Sequence, residues 1–279
     1  MLVNRIGRYF GVWPVIALLI ASSNAGDLTS DDHVSEALEI TTSAAKLYSF
    51  ELTGKPPRKL DFQPSSILRW SNPVAGEIYG NVFVWTLNGR PTVLGSIYQW
   101  YSPMTHGSHE FQSLATEPLE GKREGRTVWR SQQAGIQWRA VPKQPVISDS
   151  KLTRTRHLRA MSRRFQVRKT DREDVSRELR LLAQPLFRYG SDDSDVIDGA
   201  LYAFVQGTDP EVFLLIEARK VAGGHEWYYA LARMNSVKFV AHYEGQEIWR
   251  RELSIWKVVK SGREPYAAFG PFRRDAPNQ

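Results

Sequence analysis

Apolar and polar positions along this chain change period several times, and twice they do so in the same order. Behind the cap-forming run Thr29-Ser30-Asp31-Asp32, Ala37, Ile40, Ala44 and Leu47 recur at helical spacing, with Leu38, Ala45 and Tyr48 alongside. That spacing predicts an amphipathic helix over Asp32–Phe50, ended by Gly54-Lys55-Pro56-Pro57. Short strand-like pieces follow at Lys59–Gln63 and Ile67–Trp70, broken by Ser71-Asn72-Pro73. Gly80–Leu87 and Pro91–Tyr101 flank Asn88-Gly89, a pair that suits a type I′ hairpin turn because both residues tolerate positive φ. His109–Ala115 is the next strand, Pro118–Arg126 reads as a charged loop, and Thr127–Gln132 and Gly135–Val141 are closing strands. Pro142–Ser150 has no period and reads as a linker.

The order then starts again. Leu158, Met161 and Phe165 mark one face of a helix over Leu152–Val167. Leu186–Tyr189 answers Ile67–Trp70, and Glu226–Met234 answers His109–Ala115. Between them Gly199–Ile216 repeats Gly80–Ile97 without a gap, 119 positions further on. Arg69, Ile78, Gly80, Pro91, Val93 and Ile97 meet identical residues at Arg188, Ile197, Gly199, Pro210, Val212 and Ile216. Self-similarity at a fixed offset implies an internal duplication. The expected organisation is a leader over residues 1–25, one unit over 26–145, a second over 146–264 and a loosely held tail from Pro265 to Gln279.

The expected fold class is α+β: two tandem homologous units, each a helix followed by a curved antiparallel β-meander. That order resembles the cone-shaped cystatin-like and NTF2-like folds, in which a bent sheet wraps a helix. The resemblance is one of element order and implies nothing about activity. Along the first hairpin strand Val82 and Val84 alternate with Phe83 and Trp85, and in the second unit Leu201 and Ala203 alternate with Tyr202 and Phe204. Each sheet therefore has a small-aliphatic face and an aromatic face. One should carry the helix, and the other should meet the second unit or curl into a pocket.

Composition narrows the chemistry. The chain has no cysteine, which excludes disulfides, thiolate metal sites and cysteine nucleophiles. Arg5 and Arg8 precede an apolar run over Phe10–Ala21, and Ser23-Asn24-Ala25 offers small residues for cleavage before Gly26. This is the pattern of a signal peptide, so the expected location is exported, periplasmic or extracellular, with no membrane span in the mature chain. Cleavage would remove two arginines and lower the formal net charge from +7 to +5. The positive charge is concentrated in residues 151–180, where eleven Lys or Arg face four Asp or Glu. Arg156, Arg159, Arg163 and Arg164 are the candidates for an anionic partner there, and a solvated helix face is the plainer reading. Nucleic acid does not suit an exported chain.

No Walker loop, Gly-x-Ser-x-Gly elbow, His-Glu-x-x-His or dinucleotide-binding glycine pattern occurs, and no cofactor is expected. His109-Glu110 and His225-Glu226 enter late strands of both units and are the candidates for acid–base work, although neighbours on a strand point to opposite faces. Ser191–Asp198 is rich in aspartate but lacks the glycine and distal glutamate of a calcium loop, so no metal site is expected. The candidate ligand-binding residues are the aromatic ones, Trp70, Phe83, Trp85, Tyr189, Tyr202 and Phe204. The leading expectation is a non-catalytic protein that binds a small molecule, an envelope polymer or a protein through aromatic sheet faces or the cleft between units. The alternatives are a hydrolase acting on envelope polymer and a purely structural tandem module. Trp129-Arg130 and Trp249-Arg250 recur at the same place in both units and predict tryptophan inward and arginine outward on a strand.

Overall fold

The computed structural model describes residues 30–191 and 194–273. The leader expected over residues 1–25 lies outside them, as do Asp192 and Asp193 of the aspartate-rich turn. The first half runs α1 (Ser30–Lys46), β1 (Tyr48–Leu52), β2 (Arg58–Lys59), β3 (Asp61–Ser71), β4 (Glu77–Leu87), β5 (Arg90–Ser102), β6 (His106–Ser113), β7 (Leu119–Arg123), β8 (Arg126–Ser131) and β9 (Arg139–Ala140). The second runs α2 (Lys151–Ser162), β10 (Phe165–Thr170), β11 (Ser176–Glu178), β12 (Arg180–Leu181), β13 (Phe187–Tyr189), β14 (Val196–Gln206), β15 (Asp209–Val221), β16 (Gly224–Arg233), β17 (Lys238–Tyr243), β18 (Gln246–Arg251), α3 (Trp256–Val259) and β19 (Tyr266–Arg273). Antiparallel sheet dominates, with few helices.

Each half divides its strands between a small sheet and a large one, where a single meander was expected. The small sheets have the orders β2-β1-β7-β8 and β11-β10-β17-β18. The large sheets are β3-β4-β5-β6 and β12/β13-β14-β15-β16, each with one further strand at its end. Both expected helices are too long by one strand. Tyr48–Leu52 and Phe165–Val167 alternate buried and exposed positions, so a period of two takes over where helical spacing had been extended. The loop expected over Pro118–Arg126 is a hairpin instead: β7 and β8 join through Glu124 and Gly125, both at positive φ.

The strand that completes each large sheet comes from outside the expected unit. β9, which precedes the linker, pairs with β16 in the second half. β19 lies within the expected loose tail, yet it pairs with β6 in the first half from Tyr266 to Arg273. A boundary near residue 145 is therefore crossed by strand pairing in both directions.

The two hairpins have two-residue loops of different chemistry. Asn88 and Gly89 both take positive φ, and in the second loop Gly207 takes φ of 63°. Gly80 and Gly199 answer a packing need. A Cβ at Gly80 would sit 2.1 Å from Trp70, and one at Gly199 would sit 2.5 Å from Tyr189. Each aromatic ring comes from the neighbouring strand and covers the bare backbone.

Three apolar clusters hold the molecule. In the first half Phe83 and Trp85 pack with Phe50, Phe111 and Trp129 beneath α1 and the small sheet. In the second, Tyr202 and Phe204 pack with Leu158, Met161, Phe165 and Trp227. The third lies between the large sheets, where Val82, Val84 and Leu94 meet Leu201, Ala203, Phe213 and Leu215. So each aromatic face is covered within its own half, and the aliphatic faces bury each other. Trp129 is buried and Trp249 packs against its core. Arg130 pairs with Glu120 at 2.6 Å and Arg250 with Glu247 at 2.6 Å on the surface.

Candidate ligand cleft at Glu110

The aliphatic interface carries polar groups at one end. Glu110, in the middle of β6, pairs with Ser96 on one side and Ala268 on the other. Even-numbered positions of β5 face the same way, which brings Tyr98 and Trp100 beside it. The Tyr98 hydroxyl donates to Glu110 Oε1 at 2.9 Å, and the Tyr266 hydroxyl donates to Oε2 at 2.8 Å. A cavity of about 380 Å³ opens here, walled by Trp100, His106 and Trp256, with Glu110 and Tyr98 on its floor. A second cavity of about 110 Å³ shares Tyr98, Trp100 and Glu110 and reaches Asp209 and Asn235 in the second half.

Burial raises the Glu110 carboxyl to about 7, against the two tyrosine hydrogen bonds, which lower it. Asp209 is pushed well above the usual carboxylate range by burial and then by the charge of Glu211, with a hydrogen bond from Asn72 opposing. That bond runs from Asn72 Nδ2 to Asp209 Oδ2 at 3.0 Å. Burial also raises Glu211, countered by its contact with Lys169. Carboxyls of raised pKa next to a partly aromatic cavity can accept hydroxyl hydrogen bonds or, as Glu110 can, exchange protons near neutral pH. Among the described residues no group of three or more His, Asp or Glu is placed to hold a metal ion.

Of the four acid–base candidates, only Glu110 reaches this cleft. His109 points to the opposite face, where its Nδ1 lies 2.8 Å from the Tyr48 hydroxyl and its ring stacks on Phe272. Burial lowers its pKa to about 3, with Arg123 adding to the effect, so it is a neutral core histidine. The apparent match with His225-Glu226 is out of register by four residues. Ile97 pairs with His109, whereas Ile216, its counterpart in the hairpin repeat, pairs with Tyr229. His225 stands exposed near the start of β16, and Glu226 accepts from Tyr228 at 2.8 Å.

The aromatic candidates are enclosed. Phe83, Trp85 and Tyr202 are 0% exposed and Phe204 is 1% exposed, so the sheet faces they line form core. Trp70 and Tyr189 face the other half. Trp70 donates to Ser96 Oγ at 3.1 Å and borders the smaller cavity, while the Tyr189 hydroxyl donates to Glu217 at 2.9 Å. Arg156, Arg159 and Arg163 are exposed on α2 and just past it. Arg159 donates to Gln184 at 2.7 Å, and Arg164 pairs with Glu244 at 3.4 Å. Asp198 of the aspartate-rich turn is buried in ion pairs with Arg154 and Arg188.

Sequence reasoning missed Tyr98, Trp100, Asp209, Glu211, Trp256 and Tyr266. The signal for Glu211 was a carboxylate at the head of the apolar run Val212–Ile216, which has to find a partner or hold a proton. Nothing in the local pattern places Trp256 or Tyr266, because both reach the cleft from the end of the other half. No known protein-family model, curated protein or solved structure matches the chain.

Proposed function

We propose that this is an exported, non-catalytic binding protein, built by tandem duplication, that holds its ligand in the cleft at Glu110. The observation that carries the reading is the Tyr98–Glu110–Tyr266 group on the floor of an aromatic-walled cavity. Binding sites commonly combine such a largely apolar wall with a few convergent polar groups. Trp100 and Trp256 offer flat faces for the apolar side of a sugar ring, and the carboxyls offer acceptors for its hydroxyls. A soluble oligosaccharide from an envelope polymer suits these walls. Duplication is supported by the ungapped hairpin repeat and by the shared strand orders. Export is supported by the leader-like N-terminus, and N-terminal sequencing of the secreted protein should begin at Gly26.

Titration of a panel of soluble oligosaccharides, followed calorimetrically, tests the site. Saturable binding that Trp100→Ala removes while the melting temperature holds supports the proposal. Absence of binding across the panel, or unchanged binding by Trp100→Ala, defeats it. A hydrolase reading draws on Glu110, Asp209 and Glu211, three carboxyls raised in pKa and acting on one another's charge. New reducing ends formed by the wild type and abolished by Glu110→Gln would favour hydrolysis over binding.

A further inference from the structure

A further cavity of about 440 Å³ is lined among others by Gln112, Arg233, Arg251, Ser254 and Tyr266, whose hydroxyl also reaches Glu110. Arg233 is only 7% exposed. Its Nε donates to the Asn235 carbonyl and its Nη2 to the Val237 carbonyl, both at 2.6 Å. Its Nη1 donates to the Glu252 carbonyl and to Ser254 Oγ, both at 3.1 Å. Every acceptor is neutral. The rings of Tyr266 and Phe239 lie 5.6 and 5.8 Å from its guanidinium. Among the described residues no carboxylate comes within 4.0 Å of it.

Arg251 shares the cavity in the same condition. It stacks on Trp249 at 5.2 Å, donates to the Arg250 carbonyl at 3.1 Å, and pairs with no carboxylate among the described residues. Burial, opposed by Tyr266, and the neighbouring charge of Arg251 lower Arg233 to about 10. The cavity also has Glu252 and Glu264 in its wall. The Glu252 side chain turns to Arg250 at 3.7 Å, and the Glu264 carbonyl accepts from Trp129 at 2.7 Å.

Elsewhere among the described residues, buried and half-buried basic groups meet carboxylates. Arg154 and Arg188 meet Asp198, Lys169 meets Glu211, and Arg90 and Arg219 meet Glu217. A buried cation without a counter-charge is costly, and a partner oxyanion removes that cost. The planar guanidinium fork matches phosphate in shape.

We propose that the Arg233–Arg251 cavity is an oxyanion site that takes phosphate, either free or as the headgroup of a lipid. Arg233 supplies fixed positive charge and Arg251 the open fork. The rim adds an apolar and basic surface suited to a lipid. Leu253, Ile255, Trp256 and Val258 are all exposed within six positions, beside Lys257, Lys260 and Arg263. Such apolar and basic mixtures suit an anionic bilayer surface.

Calorimetric titration with inorganic phosphate and flotation with phosphatidylglycerol or phosphatidylcholine vesicles form the two arms of the test. Wild type, Arg251→Gln and Ile255→Asp are compared after their melting temperatures are matched without ligand. Saturable phosphate binding that Arg251→Gln weakens at least about tenfold, with Ile255→Asp unaffected, supports a free-phosphate site. Flotation with phosphatidylglycerol alone, lost in both variants, supports a lipid headgroup. Absence of binding in both arms, or wild-type binding by Arg251→Gln in both, overturns the proposal. Neither arm reads Trp100 or Glu110, and Trp100→Ala, which tests the sugar cleft, should leave phosphate binding unchanged.

Discussion

The two ends of the space between the large sheets use the same register positions for opposite purposes. At the end formed by the second sheet, Glu217 is 0% exposed and meets Arg90 Nε at 2.8 Å and Arg219 at 2.6 Å. Both guanidinium groups lie over the Trp138 ring, Arg90 at 5.0 Å and Arg219 at 3.9 Å. At the end formed by the first sheet, the positions 119 residues away from Glu217, Arg219 and Arg90 hold Tyr98, Trp100 and Asp209. By strand register Glu110 stands where the second sheet has Ala230, and Ala268 stands where it has Trp138. One end is closed by charge pairing around a large ring. The other exchanges that ring for alanine, sets carboxyls against tyrosines and keeps a cavity. Matching strand register thus supports a structural ion pair or an open acidic cleft, and side-chain volume and charge decide which.

The largest effect is expected from breaking the closed end. Arg90→Met should cost about 2 kcal/mol, below the range for a severed buried pair because the Arg90 side chain is 40% exposed and Arg219 and Tyr189 still hold Glu217. The matched change at the open end, Asp209→Asn, should cost under about 1 kcal/mol, since the amide oxygen can still accept from Asn72 Nδ2. Urea melts of both variants measure the contrast, and equal losses would erase it.

Copying the closed end onto the open one is the next test. Ala268→Trp should fill the cleft and weaken oligosaccharide binding at least about tenfold, near 1.4 kcal/mol. A fold that melts as the wild type does but still binds would separate the cleft from the ligand.

A smaller effect depends on pH. Glu110 holds its proton up to about 7 in the folded chain, above its usual 4.5. Its contribution to stability is therefore complete below the unfolded value and lost as pH rises through about 7. Glu110→Gln removes that loss, so the variant should gain in melting temperature relative to wild type between about pH 5 and pH 8. A constant difference across that range would show that Glu110 titrates normally. The smallest change is expected at Arg130→Lys, under about 1 kcal/mol by denaturant melt, because the Glu120 pair is at the surface.

Much of the architecture was legible locally. Alternation along Gly80–Ile97 and Gly199–Ile216 specified two hairpins and the two faces of each sheet, because neighbouring strand residues point to opposite sides. The repeated Gly80 and Gly199 marked positions where a ring crosses bare backbone. The tryptophan-in, arginine-out reading of Trp129-Arg130 needed only the strand period. Helix ends were less legible, since Tyr48 and Phe165 continue a helical spacing and also begin a strand alternation.

What the sequence could determine by itself was therefore periodic: element order, the recurrence at an offset of 119, and which side chains share a face. Tertiary structure alone decided that the aromatic faces are core, that the aliphatic faces meet, and that β9 and β19 each complete the sheet of the other half. Those outcomes turn on contacts between residues far apart in the chain, such as Glu110 with Tyr266 and Arg90 with Glu217. Periodicity reports where a side chain points, whereas burial, charge pairing and a cavity depend on what arrives opposite it from elsewhere in the chain.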